Sequence, residues 1–365
     1  MPPNAEGGAM SRLMVMAGGT GGHVMPALAV ASKLRERGVE ISWMGNAEGL
    51  EARLVPAAGF DLEFIQIKGL RKSGLRRKLV MPYMLLHACI QAFGIIRRKR
   101  PDALLGMGGF VSGPGGLVAG LLGKPLVVHE QNAIAGLTNR WLSRIASQVL
   151  SGFPHAIGIN KVRWVGNPVR EEIAQIVIPE ERLASRNSPL RILVLGGSQG
   201  ARVFNQELPK LLADSRLPEL KVWHQCGAND YEWVNAAYQQ NEIPAQVDSF
   251  INDMGASYSW SDIVICRAGA MTVSEICAAG VVAIFVPYPH AVNDHQAHNA
   301  AYLVSAGAAF ACDQARFVNG EWIEQIVKLS AKREDLIQMA NKARALGRPN
   351  AANEVADICE GFIHA

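Results

Sequence analysis

No two cysteines in this 365-residue chain are spaced as CxxC, and the six present, at positions 89, 226, 266, 277, 312 and 359, form no disulfide scaffold. That distribution points to a reducing cytosol. Residues 1–11 lack the basic start and apolar run of a signal peptide and read as a disordered tail. No D-x-D occurs, and His290, His295 and His298 stand close together without the carboxylates that a magnesium or manganese site needs, so neither a metal nor a cofactor is expected. The glycine turns lack G-x-G-x-x-G and are not followed by Gly-Lys-Ser/Thr, which disfavours a dinucleotide oxidoreductase and a P-loop. Charged residues make up only 19% against 49% hydrophobic, which excludes a largely disordered or fibrous chain. A net charge of +4 is too small to indicate nucleic acid, and no such partner is expected.

Two uncharged stretches raise the question of a membrane span, which needs about 20 mostly apolar residues. Pro82, His87 and Gln91 interrupt residues 79–96, and eight glycines populate residues 103–123, so no span is expected. Acid is missing from one long segment. Lys68, Arg71, Lys72, Arg76, Arg77, Lys78, Arg97, Arg98, Lys99 and Arg100 occur between positions 68 and 100 without one Asp or Glu.

What is present reads as α/β. The length exceeds the usual single-core limit, so two domains are expected. Short apolar runs that end in glycine and precede amphipathic helical patterns mark βα units of parallel sheets. Strands are expected at 13–17, 41–44, 103–105, 126–128, 192–195, 221–225, 263–266 and 283–286, with helices at 26–37, 136–145, 201–212, 271–279 and 295–306. Gly18 and Gly196 occupy matching places in two similar halves. The seam falls near Gly166-Asn167-Pro168, giving domains of 12–168 and 169–349. Val355, Ile358, Cys359, Phe362 and Ile363 then give residues 350–365 one apolar helical face, to be buried on the first domain as a clasp or on the helix's own domain.

Three glycine-rich turns follow strands: Gly18-Gly19-Thr20-Gly21-Gly22-His23, residues 106–116 (GMGGFVSGPGG), and Gly196-Gly197-Ser198-Gln199-Gly200-Ala201. Such turns serve tight packing or present backbone N–H groups to phosphate beside a helix N-terminus. Three on two domains suit a reaction between two diphosphate-bearing molecules. Gly18, Gly19, Gly108, Gly109 and Ser112 are the candidates for an acceptor diphosphate. His-Glu-Gln-Asn at 129–132 sits where parallel sheets place ligands, with a helix-capping Asn132 as the alternative. Residues 267–275 (RAGAMTVSE) offer another turn, with Glu275 either gripping adjacent sugar hydroxyls or solvated in a first helical turn.

Together these segments resemble the MurG family. GGTGGHVMPALAVA, GMGGFVSGPGG, HEQNAIAGLTN, VGNPVR, GGSQGAR, CRAGAMTVSEI and DHQAHNA stand in that family's order and approximate spacing, from Arg12 to the C-terminal helix. The resemblance implies a GT-B glycosyltransferase architecture with two Rossmann-like domains facing a cleft. It implies transfer of N-acetylglucosamine from UDP-N-acetylglucosamine to the muramyl C4 hydroxyl of lipid I, forming lipid II, with a membrane-facing acceptor domain first and the donor domain second. Carried over by position, the donor would meet Ser198, Ile251, Ala270, Met271, Thr272, Val273, Ser274, Glu275 and Gln296, joined by Thr20, Gly21, Gly22, Asn132 and Arg170. Phe110 stands where the family often has tyrosine, and His295-Gln296 where some relatives have two glutamines.

An α-linked donor and a β-linked product imply inversion in one displacement, which needs a base at the acceptor and charge stabilisation at the leaving UDP. His23 is the candidate base, because an imidazole titrating near about pH 6.5 accepts a proton at neutral pH; a structural His23 that only hydrogen-bonds its loop is the alternative. Leu75, Arg76, Arg77, Lys78 and Leu79 open an apolar, base-flanked segment suited to an anionic membrane surface, or else to a core helix with solvated ends. The enzyme is thus expected peripherally at the cytoplasmic face of the inner membrane, with cell-wall synthesis proteins as further partners. A transferase for a soluble acceptor and a non-catalytic nucleotide-sugar-binding regulator remain the rivals.

Overall fold

In the computed structural model, residues 11–67, 75–186, 188–197, 200–291 and 294–364 are described, the side chains of 75–80 excepted. Residues 1–10 of the expected tail, Lys68, Arg71, Lys72 and Ser198 lie outside them, as do the side chains of Leu75, Arg76, Arg77, Lys78 and Leu79. The chain forms two compact units. One ends at Arg170 and takes in the chain again from Asn350; the other is Glu171–Pro349.

The first unit holds seven parallel strands: β1 (Arg12–Ala17), β2 (Glu40–Gly45), β3 (Asp61–Phe64), β4 (Ala103–Gly108), β5 (Leu126–Glu130), β6 (Gln148–Ser151) and β7 (Arg163–Trp164). Their order is β3-β2-β1-β4-β5-β6-β7, so the winding reverses between β1 and β4. β1 is an unbroken apolar run because helices cover both faces of the sheet. Its side chains alternate between two cores. Leu13, Val15 and Ala17 pack with Val355, Ala356 and Cys359 of the last helix, whereas Met14 and Met16 pack with Ala92, Ile95 and Ile96 of the helix Leu75–Lys99.

The last helix, Ala351–Ile363, therefore rests on the first unit. Arg37, just beyond the end of the helix Gly21–Glu36, pins it by bonds to Asp357 (2.7 Å), Glu360 (2.6 Å) and Asn353 (3.2 Å).

The second unit repeats the scheme with six parallel strands: β8 (Leu190–Leu195), β9 (Leu220–Gln225), β10 (Ala245–Asp248), β11 (Ile263–Cys266), β12 (Val282–Phe285) and β13 (Ala309–Ala311). Their order is β10-β9-β8-β11-β12-β13, and the reversal falls between β8 and β11. Among the described residues no helix is long and apolar enough to cross a membrane.

Candidate active site

Open parallel sheets bind ligands beyond the carboxyl ends of their strands, at the point where the winding reverses. In the first unit that point lies between β1 and β4, and both lead into glycine turns. The turns touch each other. Gly109 has φ +84°, and a Cβ there would stand 2.3 Å from the Gly18 carbonyl oxygen. Gly108 has φ +102°, and a Cβ there would stand 2.7 Å from Nδ1 of His23. Only glycine admits both the backbone conformation and the neighbour.

The helix expected from Pro26 begins five residues earlier, at Gly21, and carries Pro26 buried inside it. Proline's missing N–H leaves only the Gly22 carbonyl without its helical donor. His23 thus sits in the first turn, and its N–H and that of Val24 both donate to the Thr20 carbonyl at 3.1 Å. Gly21 and Gly22 present the leading N–H groups of the helix, and the Thr20 hydroxyl makes no capping bond.

Two of the expected diphosphate contacts point elsewhere. The Gly19 N–H donates to Oε2 of Glu51 (2.8 Å), a fully buried carboxylate whose Oε1 accepts the N–H of Asn46 (2.9 Å). Gly18 and Gly49 make room for it, since a Cβ at either would lie within 2.4 Å of a Glu51 oxygen. Ser112 is likewise fully buried, and its hydroxyl lies 2.8 Å from the carbonyls of both Met16 and Gly108, sharing its one hydrogen between them, because a hydroxyl shut from water must find backbone partners. Glu51 and Ser112 therefore shape the turn from inside. Nothing local in the sequence distinguishes Glu51 from an ordinary helix-opening acid.

The segment after β5 is knit by Glu130, which is 2% exposed. Its Oε1 accepts from the main-chain and side-chain nitrogens of Asn132 (2.9 and 3.2 Å), and its Oε2 from Gly136 N–H (3.0 Å) and Asn139 Nδ2 (2.8 Å). Asn132 does not cap the next helix, Leu137–Leu142, whose cap residue is Gly136. His129 is fully buried and Gln131 is 1% exposed, and Gln131 Oε1 lies 3.0 Å from His23 Nδ1. Burial pushes the His129 imidazole down to about 4, so it is neutral at physiological pH.

In the second unit the turn after β8 has Gly197 at φ +85° and Gly200 at φ +74°, where a Cβ would meet the Cys226 carbonyl oxygen at 1.9 Å. The helix Ala270–Ala279 follows β11 directly, so Ala270, Met271 and Thr272 open its N-terminus. Val273 is buried at 0% and Ala270 at 7%, and the Ser274 hydroxyl donates to the Ala270 carbonyl (3.0 Å). These residues offer main chain more than side chain. Glu275 is neither solvated nor in the first turn: it is half-buried, and its Oε2 accepts from the buried Tyr258 hydroxyl (3.0 Å). Gln296, in the helix His295–Val304, accepts the Tyr288 N–H on Oε1 (2.8 Å), and Asn299 in the same helix donates to the Ala268 carbonyl (3.2 Å). Arg267 ties that turn to the carbonyls of Val286 (2.9 Å) and Pro287 (3.3 Å). Ile251 is 4% exposed, and Arg170 ends the first unit.

The basic block divides. The helix Leu75–Lys99 buries Ala88, Ala92, Ile95 and Ile96 but leaves Tyr83, Leu86, Ile90 and Phe93 exposed by 69, 59, 62 and 41%. Arg98 and Lys99 are not free cations, since they pair with Glu63 (2.7 and 3.3 Å) and Lys99 also with Asp61. Sequence distance hid these pairs.

Residues 13–151 match the glycosyltransferase family 28 N-terminal domain, and residues 191–358 the family 28 C-terminal domain. A Marinobacter nauticus protein, called UDP-N-acetylglucosamine–N-acetylmuramyl-(pentapeptide) pyrophosphoryl-undecaprenol N-acetylglucosamine transferase, is 50% identical over 95% of this chain and 96% of its own length. A Coxiella burnetii protein of the same name is 48% identical over 98% and 100%. The crystal structure of Acinetobacter baumannii MurG superposes with a TM-score of 0.80 at 39% identity, over 96% of this chain and 99% of that one. A calicheamicin glycosyltransferase, at 17% identity and a TM-score of 0.66, shares the fold.

Proposed function

This chain belongs to the MurG family of GT-B glycosyltransferases and transfers N-acetylglucosamine from UDP-N-acetylglucosamine to lipid I, forming lipid II; from that premise we propose which residues carry the step. The observation that supports it most is His23, held beside two contacting glycine turns where the first sheet reverses. The muramyl C4 hydroxyl attacks C1 of the donor sugar. As the new O–C1 bond forms, the C1–O bond to phosphate breaks, its electron pair leaves with UDP, and the hydroxyl proton passes to His23. Inversion follows from a single displacement.

The acceptor rests on the first unit, its diphosphate toward Gly21, Gly22 and the Gly108–Gly109 turn, and the donor on the second. N–H groups at the start of the helix Ala270–Ala279 and at Gly197 meet the departing diphosphate, so no metal is required. Glu275 takes the ribose hydroxyls and Gln296 the donor sugar. Peripheral membrane attachment is supported by the exposed stripe Tyr83, Leu86, Ile90 and Phe93 on the helix that Arg76, Arg77 and Lys78 begin. Each cation near an anionic bilayer contributes about 1 kcal/mol, decaying over a Debye length.

The test is radiolabelled UDP-N-acetylglucosamine with a lipid I analogue, run with and without EDTA. Labelled lipid in both supports the reading. UDP-sugar binding without turnover would make the protein a regulator, and activity abolished by chelation and restored by Mg²⁺ would refute the amide-and-dipole account. Charge reversal at Arg76, Arg77 and Lys78 should cut sedimentation with anionic vesicles while sparing activity on a short-chain acceptor; equal sedimentation would return the helix to an ordinary solvated surface.

A further inference from the structure

We propose that Gln131 and His129 are positioning residues that lock His23 in the tautomer carrying its proton on Nδ1, leaving the Nε2 lone pair as the base. The inference rests on the reading of His23 as the base.

Four groups form one chain of hydrogen bonds whose direction is forced from its far end. The Gly166 carbonyl can only accept, so His129 Nε2, 2.9 Å away, must carry a hydrogen. The buried, neutral His129 then has a bare Nδ1, which lies 3.1 Å from Gln131 Nε2. A second acceptor fixes the Gln131 amide the same way round, because its Nε2 also lies 3.1 Å from the His129 carbonyl oxygen. Turning the amide over would set its oxygen against two acceptors. Gln131 Oε1 is therefore the atom 3.0 Å from His23 Nδ1, and an amide oxygen can only accept. Neutral His23 must place its hydrogen on Nδ1, with its lone pair on Nε2.

The amide itself cannot swing away. Gln131 is 1% exposed, and its main-chain carbonyl accepts from Asn167 Nδ2 at 3.0 Å. Glu130 is the charged group that acts on His129, and its two oxygens are taken by Asn132, Gly136 and Asn139. A neutral amide behind the imidazole orients it without holding the captured proton as a carboxylate would, so His23 can release that proton between turnovers.

Nitrogen NMR of the histidine-labelled enzyme reads tautomers directly, and a His23→Ala variant assigns the signal. The expected wild-type result is His23 protonated on Nδ1, beside a His129 protonated on Nε2. Gln131→Met should relax His23 toward the tautomer mixture of an unconstrained imidazole and lower kcat by roughly ten- to a hundredfold with donor KM unchanged. His23 protonated on Nε2 in the wild type overturns the inference, as does an unchanged tautomer in Gln131→Met. Should Gln131→Met not fold, the wild-type spectrum decides alone. If His23→Ala keeps full kcat, the base reading fails whatever the spectrum shows.

Discussion

The two glycine turns after β1 and β8 have the same place in two sheets wound the same way, yet they are pinned differently. In the first unit, buried side chains do it: Glu51 holds the Gly19 N–H, Ser112 bridges Met16 and Gly108, and Gln131 meets His23. In the second, among the described residues, main-chain packing meets one side-chain bond: Gly200 sits against the Cys226 carbonyl, which the buried Asn205 holds through Nδ2 at 2.9 Å. The contrast matches the tasks proposed for them. A proton transfer fails if the base is misplaced by an ångström, so it needs a rigid side-chain network behind it. A diphosphate needs only a field of N–H groups, which a helix start supplies by itself.

The largest effect on donor binding is expected at Glu275 in the second unit. Glu275→Ala should weaken UDP-sugar binding by roughly a hundredfold, since charge-assisted hydrogen bonds are worth about 1.5–3 kcal/mol each. Calorimetric titration reads it. Glu275→Gln keeps an acceptor for the Tyr258 hydroxyl and separates stability from binding; unchanged donor affinity in the alanine variant would remove Glu275 from the site. In the first unit Gly108→Ala should combine left-handed strain with a collision against the His23 ring, costing roughly 2–3 kcal/mol of stability. Its kinetic mark should be a fall in kcat.

Much of this frame was legible in the sequence, and the limits have a physical pattern. The eight expected strands all occur, because the inner strands of a parallel sheet are buried on both faces and read as apolar runs. β3, β7, β10 and β13 were not legible: all four are edge strands, short and partly exposed, as the interrupted burial of Asp61–Phe64 shows. β6, second from an edge, escaped because only Val149 and Leu150 are apolar in it, between Gln148 and Ser151. His23 and Glu275 stand out because glycine turns flag them. Glu51 and the pairs of Arg98 and Lys99 do not, since each depends on a residue brought near only by folding. Gln131 lay inside a recognised motif, but its function is a hydrogen-bond direction, which no sequence displays.

Acid offers a smaller contrast. His129 in the first unit and His224 in the second are both fully buried, with burial holding them down to about 4 and about 3. The unfolded chain protonates its histidines near 6.5, so each site's stability is intact above that pH and is lost as the pH falls toward the folded value. His224→Phe should remove roughly 2 kcal/mol of the loss between pH 7 and pH 5, measured by denaturant titration at both, and leave kcat unchanged. An equal loss in wild type and variant would remove His224 as a source of acid sensitivity. Smallest of all, Gly197→Ala should cost only about 1–2 kcal/mol, because its φ of +85° is strained but no atom of the described residues lies within 4 Å of the added carbon. A cost equal to that of Gly108→Ala would erase the difference between the two turns.

The central claim is that the first unit moves the proton and the second holds the donor. His23→Gln tests it most directly, with kcat on a lipid I analogue and UDP-N-acetylglucosamine affinity measured on the same preparation. In this variant kcat should fall by about 10²–10⁴-fold with donor affinity within about twofold of wild type. Retained kcat, or a loss confined to donor binding, would contradict it.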